Sequence, residues 1–395
     1  MSCFRRAELL IPAVPEMEKW PVVACDQFTS QPDYWQRVEQ TVGSAPSALR
    51  LILPEAWLNE QTETEDIAAV NETMEQYLTE GVFDCLPESY LYVERTLPGG
   101  QIRRGVVGMI DLEAYDWRPG AQTPIRATEG TVPERLPPRI RVREGAALEL
   151  PHVLLLADDP SDALLYPLEA ACRGETPVYD LSLMEGGGQL RGWRIAGAAA
   201  DALDARLAEY EAAAPLPYAV GDGNHSLAAA RAIWEELRGQ VPPDHPARFA
   251  LVELENIHDP ALTFAPIHRL VTGVDPQALL AALEPWCAPG GYPVRWYAGD
   301  EHGTVMLDPA RAALAVGVLQ AFLDAWGQGT VDYIHGDEAA RSLAKQPGAI
   351  AFLLPAMEKS QLFEGVLRDG ALPRKTFSMG QAEEKRYYLE ARRIR

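Results

Sequence analysis

The stretch Tyr218–Ala230, YAVGDGNHSLAAA, constrains the fold of this chain more than any other part of it. An apolar run opens the stretch, after prolines that keep helix from forming upstream. Gly221 and Gly223 then permit backbone conformations that are closed to other residues. Apolar residues at helical spacing follow. The stretch therefore predicts a short buried strand, a glycine turn and a helix, with Asp222 or Asn224 as the helix cap.

Such a turn gathers backbone N–H groups, a helix N-terminus and the imidazole of His225 in one place. The positive end of a helix and its unpaired N–H groups bind anions, above all phosphate. The residues alone leave two interpretations open. One is an anion site, and the other is a plain strand-to-helix connection in which His225 bonds a nearby carbonyl.

The charge of the chain limits its partners. Lysine and arginine total 35 against 57 aspartate and glutamate residues, which gives a formal net charge of −22 at pH 7. Nucleic-acid surfaces need a basic footprint, and anionic membranes attract basic segments. We therefore expect neither nucleic acid nor membrane as a partner. Any small phosphorylated ligand has to meet a local basic cluster.

Cysteine usage and the N-terminus favour the cytoplasm. The five cysteines are scattered without any CxxC pair, so neither a disulfide framework nor a zinc knuckle follows. The N-terminus does not form a convincing signal peptide, and no apolar run approaches the roughly 18 residues of a membrane span. A reducing cytoplasm fits these features best. The oligomeric state is left open.

Periodicity predicts both helices and strands. Thr64–Glu80 has apolar residues at helical intervals, and Thr62 with Glu65 forms the pattern of a capping box. Tyr90–Thr96 and Gln101–Leu112 flank a Pro-Gly-Gly turn and predict a hairpin.

We expect an α+β fold with mixed sheets in three closely packed parts. An N-terminal α+β part covers 1–120, and a central part over 121–260 carries the glycine turn. A C-terminal α/β part over 261–395 closes the cleft.

The densest positive charge lies in segment 126–143, where arginines are interspersed with prolines. Glu129 and Arg139 belong to this segment. An arginine-rich loop with hydroxyls and carboxylates can clamp a phosphate, with Glu129 as a base or metal ligand. The alternative is a solvated loop whose arginines pair with the acidic surface.

Four blocks, in this order along the chain, resemble a widespread family of uncharacterised proteins, domain-of-unknown-function family 1015. The family's Asp-Gly-His-His-Arg turn is similar to Asp222–Ser226, although Asn224 replaces its first His and Ser226 its Arg. The remaining blocks are Thr128–Thr131 with Arg139, His268–Val271, and Pro373–Phe377. Without the arginine a phosphate loses a bidentate contact, so the resemblance implies a divergent or weakened site.

The glycine turn also resembles the nucleotide-phosphate turn of the fold shared by sulfiredoxin, the ParB partition proteins and the free-serine kinases. This resemblance implies a ParB/sulfiredoxin-like core. In that fold the turn holds nucleotide phosphates, and a carboxylate can deprotonate a small hydroxyl acceptor. Such a likeness is a fold-level analogy for function.

Residues and resemblances together predict a nucleotide-dependent phosphotransferase or nucleotide hydrolase acting on a small hydroxylated metabolite. Glu129 is the expected general base, Asp222 and His225 are the other expected catalytic residues, and Asp222 is also the expected Mg2+ ligand. The cofactor, a nucleoside di- or triphosphate, is expected to contact Gly221, Gly223, Asn224, Ser226, Arg139, Arg269, Lys375 and Thr376.

The main alternative is a non-catalytic module that senses a nucleotide or a phosphorylated metabolite at the same anion site. A metal-dependent hydrolase is less well supported, because the seven histidines are not clustered and no HxxEH-like spacing occurs. The most useful structural observation for these hypotheses is whether five side chains line one cleft: Glu129, Arg139, His225, Arg269 and Lys375.

Overall fold

The structure is a computed structural model that describes residues 2–59, 61–118, 120–131 and 136–395. These residues fall into two compact units. The larger unit comprises Met1–Ala127, Thr131–Leu262 and Gln381–Arg395, and the smaller unit comprises Thr128–Gly130 and Thr263–Gly380. The division into three parts at residues 120 and 260 stays a prediction.

The larger unit contains six of the described helices. They are α1 (Pro32–Val42), α2 (Glu63–Thr79), α3 (Leu136–Glu144), α4 (Tyr166–Cys172), α5 (Gly197–Ala213) and α6 (Asn224–Leu237). Its strands before the glycine turn are β1 (Phe4–Arg5), β2 (Ala7–Pro12), β3 (Val22–Val23), β4 (Phe83–Thr96), β5 (Ile102–Asp111), β6 (Tyr115–Asp116), β7 (Ile125–Ala127), β8 (Leu148–Glu149), β9 (Leu154–Ala157), β10 (Tyr179–Leu183) and β11 (Gly188–Ile195). Strands β12 (Tyr218–Asp222) and β13 (Phe249–Asn256) complete the central part of the chain.

The smaller unit contains α7 (Pro276–Leu283), α8 (Ala315–Trp326), α9 (Asp337–Leu343) and α10 (Lys359–Asp369). Its strands are β14 (Phe264–Thr272), β15 (Cys287–Ala298), β16 (Glu301–Leu307), β17 (Thr330–His335), β18 (Ala349–Leu353) and β19 (Phe377–Met379). The last two strands, β20 (Tyr387–Tyr388) and β21 (Arg392–Arg393), return to the larger unit and pair with β3 and β8.

A mixed sheet organises the larger unit. Its strands follow the order β10-β11-β4-β5-β13-β9-β12-β7-β6, with β1 beside β5 and β2 beside β4. The pairs β13–β9, β12–β7 and β6–β7 are parallel, whereas β12–β9 and the hairpin strands β4–β5 are antiparallel. The predicted α+β class with mixed sheets is thereby confirmed. The glycine turn lies at the end of β12, inside this sheet.

Apolar residues cover both faces of this sheet. Leu91 and Val93 belong to one hydrophobic cluster, and Tyr90 and Tyr92 belong to another. Because successive side chains of a strand point to opposite faces, β4 contributes to two cores at once. The predicted hairpin and its alternation are confirmed.

The sheet of the smaller unit is antiparallel in all of its described pairings. Its order is β16-β15-β18-β14-β17, and β19 also pairs with β14. Leu270, Ala351 and Leu353 pack with Ala340 and Ala344 of the α9 segment in a buried cluster.

Two local predictions need correction or comment. The helix expected over Thr64–Glu80 is confirmed as α2, and Gly81 follows it with a positive φ of 70°. The prediction of a capping box was wrong, because the Thr62 hydroxyl donates a hydrogen bond to Asp66 Oδ2 instead of capping the helix.

Among the described residues, no helix is both long and apolar enough to span a membrane.

Candidate functional site

The glycine turn has the predicted strand–turn–helix form. Strand β12 ends at Asp222, Gly223 has a φ of +80° in the left-handed region, and α6 begins at Asn224. Gly223 is therefore the N-cap residue, so the prediction of Asp222 or Asn224 as the cap was wrong. Having no side chain, Gly223 provides no side-chain cap to α6, and the positive end of a helix attracts anions.

Packing against β9 explains both glycines. A Cβ atom at Gly223 would lie 2.9 Å from Val153 Cγ2, and a Cβ atom at Gly221 would lie 2.9 Å from Leu156 Cδ1. Gly221 does not have a positive φ, so steric room rather than backbone freedom requires a glycine there. The turn is held tightly against the sheet, which fixes the direction of the α6 N-terminus.

Lys385 places a positive charge next to this turn. Its Nζ atom lies 3.0 Å from Asp222 Oδ2, and Asp222 Oδ1 accepts the Gly223 N–H at 2.9 Å. The two side chains keep 12% and 22% of their exposure, so the pair is sheltered but reachable. A sheltered ammonium group at a helix N-terminus adds to the positive potential of the helix end.

Two arginines hold the segment that carries Lys385. Arg95 donates hydrogen bonds to the carbonyl oxygens of Glu383, Glu384 and Lys385, and Arg103 donates to the Glu384 carbonyl at 2.8 Å. Both arginines are buried. The backbone position of Lys385 is thus fixed by side chains of the sheet strands β4 and β5.

Asn224 has an unsatisfied polar atom at the start of α6. Its side chain is 6% exposed, and its Oδ1 meets no hydrogen-bond partner among the described residues. A buried polar atom without a partner is costly, so a ligand that completed the bond would be favoured. With the amide rotated by 180°, Nδ2 would take that place and donate to an anion.

Ser226, in the same first turn of α6, begins a chain of hydrogen bonds. Its Oγ lies 3.2 Å from His152 Nε2, and His152 Nδ1 lies 2.7 Å from the Tyr388 hydroxyl. The Tyr388 hydroxyl is 3.1 Å from Cys25 Sγ. Burial raises the pKa of Cys25 to about 12, so its thiol stays protonated.

Asp26 lies in the field of several cations of the larger unit. Burial favours the neutral carboxyl, but His152, the Gln27 amide, Lys385 and Arg139 outweigh burial and lower the pKa of Asp26 below its usual value of 3.8. Asp26 therefore carries a negative charge at neutral pH. A charged aspartate facing His152 and Lys385 is a polar constellation typical of functional sites.

The arginine-rich segment differs from the loop that was expected. Leu136–Glu144 forms helix α3, while residues 132–135, with Arg135, lie outside the described residues. Arg139 pairs with Glu55, Arg141 with Glu63, and Arg143 with Glu149. Pairing with acidic side chains, the alternative considered from the sequence, thus describes these arginines.

The predicted residues of the smaller unit form a second set. The Lys375 backbone N–H donates to Glu129 Oε1 at 3.0 Å, and Lys375 has a left-handed φ of 56°. The buried Arg269 guanidinium donates to the carbonyl oxygens of Lys375 and Arg374 at 3.0 Å each and also to Gln320 Oε1. The Thr376 hydroxyl donates to the Pro373 carbonyl at 2.6 Å. Arg269 thus fixes the loop that carries Lys375 and Thr376.

The predicted Mg2+ ligand does not fit that role as placed. Both carboxylate oxygens of Asp222 are engaged, one by the Gly223 N–H and the other by Lys385. No group of three or more potential ligand side chains occurs in the described part of the chain. Mg2+ therefore stays a prediction, and no step below depends on it.

Sequence reasoning missed Lys385, His152 and Tyr388. Each comes from a segment distant from the turn, so no local pattern connects them to it. The one available signal was scarcity, because Lys385 is one of only five lysines in the chain.

A family comparison decides the classification. The profile of the family described as Protein of unknown function (DUF1015) matches residues 12–393. The chain belongs to the DUF1015 family. The expected membership of this family is confirmed, while the family name itself states no activity. No curated protein matches the chain.

Solved structures show only distant likeness to this DUF1015 protein. A free serine kinase mutant in complex with ADP has a TM-score of 0.41 at 12% identity, covering 72% of this chain and 91% of that chain. SbnI from Staphylococcus aureus, with a C-terminal truncation, has a TM-score of 0.38 at 13% identity, covering 69% and 82%. A conserved hypothetical protein from Pyrococcus furiosus has a TM-score of 0.36 at 12% identity, covering 69% and 89%. At these scores the likeness carries no argument, and the ParB/sulfiredoxin-like core stays a prediction.

Proposed function

We propose that the larger unit binds a phosphorylated small molecule at the N-terminus of α6. The observation that carries this proposal is the left-handed Gly223, which opens the helix without a side-chain cap while Lys385 lies 3.0 Å from the preceding Asp222. Backbone N–H groups and an ammonium group together complement a phosphate. The buried Asn224 side chain supports the same site in the rotated amide orientation, in which Nδ2 takes the place of the unsatisfied Oδ1 and donates to the phosphate.

The reaction class we propose is nucleotide-dependent phosphotransfer or nucleotide hydrolysis. The N–H groups of the first turn and Lys385 would stabilise charge on the phosphate oxygens as it develops, which is the main task in phosphoryl transfer. His225, in the same first turn, is exposed enough to reach a ligand. This proposal rests on the larger unit alone, and the roles of Arg269, Lys375 and Thr376 stay predictions.

Calorimetric titration tests the binding step. ATP, ADP and CTP are each titrated into the full chain, with and without Mg2+. We expect saturable binding of at least one nucleotide in the millimolar range or tighter. Binding of none of the three at millimolar concentration would contradict the proposal.

The second candidate is a non-catalytic sensor of the same ligand. One observation favours it: Glu129, the predicted base, is engaged by the Lys375 N–H and could serve only the loop structure. Nucleotide turnover by the unsubstituted chain separates the two functions, because a sensor shows none. Glu129→Gln then tests the base, because the amide oxygen still accepts the Lys375 N–H but cannot take up a proton. Turnover that falls while nucleotide affinity is kept supports an enzyme with Glu129 as its base; unchanged turnover rejects that role.

A further inference from the structure

A cavity of about 170 Å³ lies in the larger unit, beside the first turns of α6. Its wall is largely aliphatic and includes Leu51, Ile52, Leu53, Met74, Leu148 and Leu150. The charged side chains of its wall occur in pairs, Arg139 with Glu55 and Arg143 with Glu149. The cavity therefore offers a mainly apolar environment without an uncompensated charge.

Polar groups occupy one side of this cavity. Ser226, His152, Tyr388 and Cys25 all line it, and they form the hydrogen-bond chain described above. A serine hydroxyl has one donor and two acceptor positions, and His152 uses only one of them. Ser226 thus retains hydrogen-bonding capacity for one ligand hydroxyl.

The volume of the cavity indicates the size of its ligand. An engineered apolar cavity of about 150 Å³ in another protein stays dry and binds benzene. The present cavity has a similar volume but opens to solvent on one side, and with a hydroxyl on its wall it suits a body of about six carbons that carries one alcohol group. Against the aliphatic part of the wall, a polar group of a ligand would be buried without a hydrogen-bond partner.

We propose that this cavity binds the apolar body of a small alcohol, whose hydroxyl hydrogen-bonds to Ser226 beside His152. Ser226 belongs to the first turn of α6, so the hydroxyl would lie next to the phosphate site proposed above. The alcohol is then the acceptor class for phosphotransfer: its oxygen would form a bond to the terminal phosphorus of a nucleoside triphosphate while the P–O bond to the departing diphosphate breaks, and its proton would pass through Ser226 to His152 Nε2. Only its role as acceptor rests on the proposed function, since binding of the alcohol requires no nucleotide.

Two probes that differ by one hydroxyl test the polar side. Benzyl alcohol and toluene are titrated into the full chain without nucleotide and followed by NMR of the labelled protein. Both compounds are expected to bind. Ser226→Ala should lower the affinity for benzyl alcohol by about fivefold, which corresponds to the loss of one hydrogen bond, and should leave the affinity for toluene unchanged.

A variant that fills the cavity tests whether the two probes bind there. Ala229 lines the cavity, so Ala229→Leu should abolish binding of both probes, whereas Ala205→Leu on the exposed face of α5 should leave both unchanged. Near-ultraviolet circular dichroism checks that each variant is folded. If Ala229→Leu does not fold, Ala230→Val, which also lines the cavity, replaces it.

Three outcomes overturn the inference. The first is that benzyl alcohol does not bind at millimolar concentration. The second is that Ser226→Ala lowers the affinity for both probes equally or for neither. The third is that the cavity-filling variant still binds them. Nucleotide binding without alcohol binding overturns this inference and leaves the proposed function standing. Alcohol binding without nucleotide binding leaves the cavity assignment standing and rejects the proposed phosphate function.

Discussion

Lys385 is the single side chain on which the phosphate site most depends. It brings an ammonium group to the glycine turn of a protein with a net charge of −22, where an anion is otherwise repelled over most of the surface. Its partner Asp222 is negative and adjacent, so the pair presents little net charge until a ligand competes for the ammonium. The Lys385 ammonium therefore pairs with Asp222 in the free protein and contacts the phosphate when a ligand is bound.

Lys385→Met should weaken nucleotide binding by about tenfold or more, because a charge-assisted contact is lost and Asp222 is left to repel the phosphate. Calorimetry with ADP measures the change. Lys345→Met serves as the matched control, since Lys345 is an exposed lysine of the smaller unit. Equal affinities for the two variants would exclude Lys385 from the site.

Asp26 should make stability depend on pH. Burial opposes its charge, but His152, Gln27, Lys385 and Arg139 lower its pKa in the folded chain below 3.8. A carboxyl with a lowered folded-state pKa stabilises the fold above its unfolded pKa, and that contribution is lost as the pH falls through the folded value.

Asp26→Asn should therefore destabilise the chain at neutral pH, and the difference from the natural protein should shrink as the pH falls below 3.8. Thermal unfolding followed over a pH series measures this. Asp244→Asn, at an exposed turn of the larger unit, is the control and should show little effect. A destabilisation that is independent of pH would show that the charge of Asp26 is irrelevant.

At the level of elements, the turn between β12 and α6 positions the site. The local pattern was enough to predict strand, turn and helix, because apolar spacing and glycine both act over a few residues. The identity of the cap was not predictable locally. Gly223 became the N-cap because Val153, on a segment distant in sequence, leaves no room for a side chain.

Gly223→Ala and Gly239→Ala form a matched pair that isolates this packing. Both glycines have positive φ, at 80° and 84°, but a Cβ at Gly239 meets nothing within 4 Å. Each substitution should cost about 1 kcal/mol from the left-handed backbone. Gly223→Ala should cost about 1–3 kcal/mol more because of the clash with Val153.

Hydrogen exchange of the α6 amides measures these local opening free energies. The Gly223 variant should also lose nucleotide affinity, while the Gly239 variant should keep it. Equal costs for the two variants would mean that the turn tolerates movement and does not fix the helix end.

At the level of the whole molecule, the sequence predicted the family and the blocks but not the full set of contacts. Helix α3 was expected as a loop, because its prolines and arginines obscure apolar periodicity. Tyr388 lies in β20, which pairs with β3, whereas Lys385 lies in a segment held by Arg95 and Arg103, and His152 lies between β8 and β9. No local rule reports such pairing, and their roles became visible only in three dimensions.

The molecule also divides the predicted residues by unit. Gly221–Ser226 and Arg139 belong to the larger unit, and Glu129, Arg269, Lys375 and Thr376 belong to the smaller one. Within the smaller unit, the Glu129 carboxylate accepts from the Lys375 N–H and the Arg269 guanidinium donates to the Lys375 carbonyl, so three blocks that are distant in sequence meet there. Their part in phosphate binding stays a prediction.

Amide NMR of the labelled full chain titrated with ADP tests the central claim most directly. Binding at the start of α6 should shift the Asn224, His225 and Ser226 amide signals in a saturable way, with an affinity that Lys385→Met weakens. Signals that shift only elsewhere, or no saturable shift at millimolar ADP, would contradict a phosphate site at this helix end.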